Sequence, residues 1–540
     1  MSLAAASASI RSLLALSVPA FGLVDTVIVV VYLLGSVALG LLANRVISGI
    51  GGYLVAGRSL GTALAIATMT GSELGLITVM YQAQKGFTGG FAAFHIGVIA
   101  GLVTLAVGLT GFIVAPLRET GVMTIPEYYE RRFGRRTRIL GGVLLALGGI
   151  LNMGLFLRVG SQFIVGVTGL DPQGGTLAFI MFGLLALVLI YTVLGGMVSV
   201  VLTDYAQFVV LSIGLVLMVA LAAGELGGET LVAVMAERRG LAGFDPSIAD
   251  AGFGPGYIAW MAVLGLVSAA IWPTAVTRAL ASKSVAVVKR QYALASLSFM
   301  IRFLIPCFMG VCAFVFLVEA PGVLMYTMGP EGPALVEPGA VASHFALSEG
   351  APLRENIEAF PVLLANLLPV GLLGLITAAM LAAFMSTHDS YLLCWASVLT
   401  RDVVDPVLRV RGRPLDERAQ IRLTRIFIVL IGLWVLLWGL LYSPSQDVWD
   451  YIGITGAIYF TGAIAVLTAG LYWRRASSTG AVLALLAGFS AVLGLGPVQR
   501  LLGLQAPSWL IGLGTLALAF LAMVLGSLLA PDRDPEEVSR

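Results

Sequence analysis

Three stretches of the 540-residue sequence carry polar groups where their surroundings are apolar. The first, Ala67-Thr-Met-Thr-Gly-Ser-Glu-Leu-Gly75, sets Gly71 beside Ser72 and Glu73 in mid-span. It makes a poor lipid-facing helix and suits one that unwinds, turning freed carbonyls toward a cavity. The second holds Ser268, Trp272, Pro273 and Thr274. Pro273 has no N–H and its ring obstructs the preceding turn, so this helix should also kink or break. In the third, residues 378–390, Ala379, Ala383, Ser386, Thr387 and Ser390 share one small, partly hydroxylated helix face. Small residues admit a second backbone, and neutral hydroxyl and carbonyl oxygens are the donors an alkali cation takes. The same hydroxyls can instead bond back to their own helix carbonyls, and these residues by themselves leave both readings open.

The elements that position these residues must lie in lipid. Apolar residues make up 59% of the chain and charged residues 11%, and the mean hydropathy is +0.99. Soluble domains average about 25% charged residues, so this chain cannot cover a water-facing surface of its size. A soluble enzyme, a nucleic-acid binder and a disordered scaffold are excluded. Cys307, Cys312 and Cys394 sit in apolar runs without metal-ligand spacing and read as inert small hydrophobes. No phosphate-binding P-loop occurs, and no cofactor is expected.

About 20 apolar residues cross the hydrocarbon as a helix. Thirteen runs qualify, near 21–43, 61–82, 88–115, 139–168, 176–194, 200–223, 255–278, 292–319, 362–398, 423–441, 446–471, 479–496 and 507–529. With the N-terminus outside, 21 of the 31 basic residues fall on cytoplasmic segments and 6, including Lys85, on external ones. That alternation predicts an external N-terminus and a cytoplasmic C-terminus in the plasma or inner membrane. Residues 1–20 read as an external tail, and 530–540 as a cytoplasmic one. The expected fold is an all-α integral membrane protein.

The two interrupted spans lie five apart. Five is odd, so successive five-span units have opposite orientation, as in inverted-repeat transporters whose broken helices meet at a midplane site.

Six stretches, in order, resemble the sodium/solute symporter family: Tyr53-Leu-Val-Ala-Gly-Arg-Ser59; Thr124-Ile-Pro-Glu-Tyr-Tyr-Glu-Arg-Arg-Phe-Gly134; Tyr191-Thr-Val-Leu-Gly-Gly-Met-Val-Ser-Val-Val-Leu-Thr-Asp-Tyr-Ala-Gln207; Thr277-Arg-Ala-Leu-Ala-Ser-Lys283; Met385-Ser-Thr-His-Asp-Ser390; and Gly470-Leu-Tyr-Trp-Arg-Arg475. The resemblance implies a leucine-transporter-type 5+5 inverted repeat, with repeats at 61–223 and 255–471, one extra helix at 21–43 and two more at 479–529. It implies sodium held by the carbonyls of Ala67, Thr70 and Ala383 and the hydroxyls of Ser386 and Thr387. A second sodium or a release path would involve Asp204, Asp389 and Ser390.

The substrate cavity implied alongside comprises Gly71, Ser72, Glu73, Leu74, Ser268 and Trp272. Sugar-transporting relatives carry a Gln, a Tyr gate and an Asn-Gln pair where this chain has Leu74, Ser268 and Trp272-Pro273, so a small amino acid or carboxylate is expected before a sugar. Arg158, inside the fourth span, could grip a substrate carboxylate or pair internally with Glu73, Asp204 or Asp389. The resulting expectation is sodium-coupled symport of a small organic solute, with membrane lipid as surroundings. A proton-coupled transporter and a transporter-like sensor subunit are the rivals.

Overall fold

A computed structural model describes residues 21–43, 60–170, 175–249, 252–319, 326–329, 332–335, 353–442 and 447–532. The tails at 1–20 and 533–540 and the motif at 53–59 lie outside the described residues.

Among the described residues the structure is helical apart from a short antiparallel hairpin, β1 (Tyr326–Gly329) and β2 (Gly332–Leu335). In order, the principal helices are α1 (Leu23–Ala43), α2 (Thr62–Glu73), α3 (Leu76–Gly89), α4 (Phe94–Thr110), α5 (Ile125–Phe133), α6 (Arg135–Asn152), α7 (Phe156–Thr168), α8 (Thr176–Leu226) and α9 (Gly228–Arg239). There follow α10 (Pro255–Ile271), α11 (Pro273–Ala281), α12 (Val285–Glu319), α13 (Ala359–Leu367), α14 (Leu372–Val398), α15 (Glu417–Leu441), α16 (Val448–Tyr472), α17 (Ser478–Phe489) and α18 (Ser508–Leu529).

Among the described residues eight helices are long and apolar enough to cross a membrane, or ten if each of two sharply bent pairs is one span. The thirteen expected spans are not all recovered as separate helices. The predicted pair 176–194 and 200–223 forms the single helix α8. Its one internal pair of breakers, Gly195-Gly196, costs a helix roughly 1 kcal/mol per glycine, far less than a proline.

The core forms where small residues let backbones meet. A Cβ on Gly86 of α3 would lie 1.9 Å from the Cys307 carbonyl oxygen of α12, and one on Gly310 would lie 2.0 Å from that of Ala83. No other residue fits there, so α12 is held backbone to backbone against the half-span after the first break. Helix α14 begins without a side-chain cap of its own. Asp25 of α1 supplies one: its Oδ1 accepts from the amides of Gly371 and Gly374 at 2.8 and 2.7 Å. A buried carboxylate on these free N–H groups also opposes the positive helix end.

Candidate functional site

Both expected interruptions are present. The first differs in place: α2 stays helical through Gly71 to Glu73, and the chain breaks at Leu74-Gly75 before α3 starts at Leu76. The uncoiled link packs against α14. A Cβ on Gly75 would come within 2.1 Å of Thr387 Oγ1, so the uncoiled link rests directly on the hydroxyl-bearing helix. The second break is at Trp272, whose backbone leaves helical geometry between α10 and α11. Pro273 opens α11 at the position where a missing N–H does no harm. The starting end of α2 and the far end of α11 are also joined: Leu60 N–H donates to Ala281 O and Lys283 N–H to Leu60 O.

On α14, Ser386 and Thr387 are buried, and their hydroxyls donate to Ala383 O at 3.1 and 3.0 Å. The three oxygens expected from this helix are therefore one cluster, and each hydroxyl keeps lone pairs for a cation. Ala67 and Thr70 are buried on α2; the Thr70 carbonyl accepts from Leu74 N–H at 2.8 Å, and its hydroxyl lies 2.9 Å from Ser298 Oγ. Ser390 and Asp389 are buried further along α14, where Arg278 Nη2 donates to Ser390 Oγ at 2.9 Å. A fixed guanidinium there repels a second monovalent cation, which argues against Ser390 as a sodium ligand. Asp204 lies on α8 in a stretch whose side chains are outside the described residues.

Beside the breaks a cavity is lined by Glu73, Ser268, Trp272 and Arg302 among aromatic and aliphatic walls. Glu73 ties the two breaks together: its carboxylate accepts from the Thr274 hydroxyl at the start of α11 and meets Arg302 Nη1 at 3.4 Å. Its carbonyl accepts from Arg302 Nη1 and from Thr78 Oγ1, both at 3.0 Å. Of the other residues expected here, Gly71 and Leu74 are buried without lining the cavity, and the side chain of Ser72 is outside the described residues.

Arg158 is not at the cavity either. Its Nη1 donates to the carbonyls of Gly439 and Tyr442, at the C-terminal end of α15, at 3.2 and 3.1 Å. A cation there meets orphan carbonyls and the negative helix end. The arginine of the cavity wall is Arg302, a charge inside the apolar run 292–319, and its position against the break is a tertiary fact.

A second cavity lies on the other side of the break and touches Thr124, Pro273, Arg278, Ser390 and Cys394. Between the two stands an aromatic wall. Trp272 Nε1 donates to Tyr391 OH at 2.8 Å, and the Trp272 ring lies 5.3 Å from Trp395 and 4.9 Å from Phe460. Two ion clusters flank the cavities. Lys85, expected on an external loop, is buried, with Nζ 2.6 Å from Asp447 and 2.9 Å from Asp450, to which Tyr257 also donates. Arg138 joins Glu130 at 2.5 Å and Asp402 at 2.9 Å, and Asp402 also accepts from Thr124.

The sequence profile described as the sodium:solute symporter family matches residues 53–488. The chain belongs to that family. It is 28% identical over 485 residues to the sodium/glucose cotransporter 4 of Danio rerio, a match covering 86% of this chain and 70% of that one. It is 26% identical over 513 residues to the human sodium/myo-inositol cotransporter, covering 86% and 66% respectively. In fold it is similar to an outward-open, substrate-bound Na+-coupled sialic acid symporter, with a TM-score of 0.74 at 20% identity over 95% of this chain and all of that one. A nucleobase-cation-symport-1 family transporter in a closed conformation matches with a TM-score of 0.52 at 14% identity over 90% and 97%. The fold of this sodium:solute symporter is the leucine-transporter type, and the protein is a membrane transporter, not an enzyme.

Proposed function

We propose that this symporter moves a small organic solute, an amino acid or carboxylate and not a sugar, into the cell with one sodium ion by alternating access. The observation that carries the reading is the contact of Gly75 with Thr387. It sets an uncoiled link against a cluster of neutral oxygens in the protein interior, where sodium would bridge α2 and α14. The ligands are the carbonyls of Ala67, Thr70 and Ala383 and the hydroxyls of Ser386 and Thr387.

Sodium binding from outside favours the outward-facing form by joining these helices. Substrate then fills the cavity at Glu73, Ser268 and Trp272, and the wall around Trp272 yields toward the second cavity. One charge crossing ~100 mV releases about 2.3 kcal/mol, and a roughly tenfold sodium gradient adds about 1.4. Together these concentrate a neutral solute on the order of several hundredfold. The distribution of basic residues supports an external N-terminus and a cytoplasmic C-terminus in the cell membrane.

The test is sodium-dependent thermal stabilisation of the purified protein, in sodium against choline, for the wild type and the Ser386→Ala, Thr387→Ala double variant. Stabilisation of the wild type that the double variant loses supports the site; equal stabilisation of both overturns it.

A further inference from the structure

Resting on the symport reading above, we infer that the cavity takes a zwitterionic L-amino acid with an apolar side chain, its carboxylate on Arg302 and its ammonium on Glu73. Arg302 is buried, 5% exposed, yet only half of its fork is used. Its hydrogen bonds among the described residues all run through Nη1, to the carbonyl and carboxylate of Glu73. Nε, on the other edge of the guanidinium, is buried without a hydrogen-bond partner. A buried donor in that condition is costly unless a ligand completes it, and the edge formed by Nε and Nη2 is the one that meets a carboxylate at two points. The guanidinium is held in place for this, its carbon 3.8 Å from the Phe299 ring centre and 4.6 Å from that of Phe303.

The same cavity offers acceptors for an ammonium. Glu73 contributes a carboxylate whose contact with Arg302 is long, 3.4 Å. Asn152 contributes Oδ1, which is buried and has no partner. Among the described residues Arg302 and Glu73 are the only charged groups lining the cavity, so their charges cancel and a zwitterion enters without leaving a charge uncompensated.

A hexose or cyclitol would need donors and acceptors around its whole ring. Much of the wall's polar capacity is already engaged: Thr104 Oγ1 donates to Ala100 O, Asn152 Nδ2 to Ile452 O and Thr455 Oγ1, Tyr81 OH to Thr78 Oγ1 and Trp272 Nε1 to Tyr391 OH. Trp449, Phe460, Leu264 and Met261 fill most of the remainder and suit an apolar side chain.

The experiment is thermal stabilisation of the full-length protein, with and without sodium. The probes are the apolar L-amino acids, the amine and the deaminated acid of each, glucose and myo-inositol. The expected result is stabilisation by at least one amino acid, with its amine and its acid each at least tenfold weaker and the two polyols inactive. Arg302→Lys, which keeps the charge but not the two-point edge, should weaken the amino acid tenfold or more while leaving the sodium shift, which shows the variant folded. Glu73→Gln should abolish the discrimination so that the deaminated acid binds as well as the amino acid. Stabilisation by glucose or myo-inositol alone, by no amino acid, or equally by amino acid and deaminated acid in the wild type overturns the inference. Absence of a sodium shift would count against sodium coupling only, because the amino-acid series is also read without sodium.

Discussion

The hydroxyl of Thr274 donates to the carboxylate of Glu73, so the last residue before the first helix break is bonded to the first turn after the second. The helices lie in opposite repeats and the two residues are 201 apart in sequence. Any movement that opens one break strains the other, which couples the halves of the transporter at the site where solute is expected to sit. Thr274→Val keeps the side-chain shape and removes the bond. Its expected effect is a roughly tenfold loss of sodium-driven uptake with sodium binding retained; unchanged uptake would mean the bond does not couple the breaks.

Gly75→Ala should lower sodium affinity. The new methyl would begin 2.1 Å from Thr387 Oγ1 and must push the hydroxyl or the link away. Sodium titrated against melting temperature should show at least a tenfold higher half-saturating concentration, and an unshifted titration would remove Thr387 from the site.

Arg158→Ala is expected to act on stability and not on solute recognition. Its contacts are the end carbonyls of α15, and a charge-assisted bond of this kind is worth roughly 1.5–3 kcal/mol. A lower melting temperature with an unchanged KM is the expected pattern. A raised KM at normal stability would return Arg158 to the cavity.

Lys85→Met should be far more damaging than Asp450→Asn. Removing the lysine leaves Asp447 and Asp450 facing each other in a buried place, a loss on the order of 3–5 kcal/mol. Removing one carboxylate charge leaves Lys85 paired with Asp447. Chemical denaturation of both variants in the same detergent compares the losses, and equal losses would show that the cluster is hydrated.

Cys394 borders the second cavity, while Cys307 and Cys312 are fully buried. A polar thiol reagent should therefore modify Cys394 first. Asp402→Asn loosens the Arg138 cluster beside that cavity and should speed the modification several-fold. If the rate stays the same, the cluster does not guard the second cavity.

The sequence alone determined the solvent, because 11% charged residues cannot clothe a water-facing surface. It also determined that two helices break and roughly where, since a Gly–Ser–Glu run and a Trp-Pro step deny the backbone its usual bonds locally. The hydroxyl face of α14 was legible for the same reason: helical periodicity is local. The tertiary structure alone decided which charges meet. Arg158 and Arg302 look alike in sequence, each a cation within an apolar span, yet one caps the end of α15 and the other borders the cavity beside Glu73. Lys85 reads as a loop charge until Asp447 and Asp450, more than 360 positions later, are folded against it. The break itself lies at Leu74-Gly75 and not at Gly71, with Gly75 resting on Thr387, a contact between distant helices that no local pattern shows. Backbone preference acts between neighbours along the chain, whereas pairing a buried charge depends on which distant helix is packed beside it.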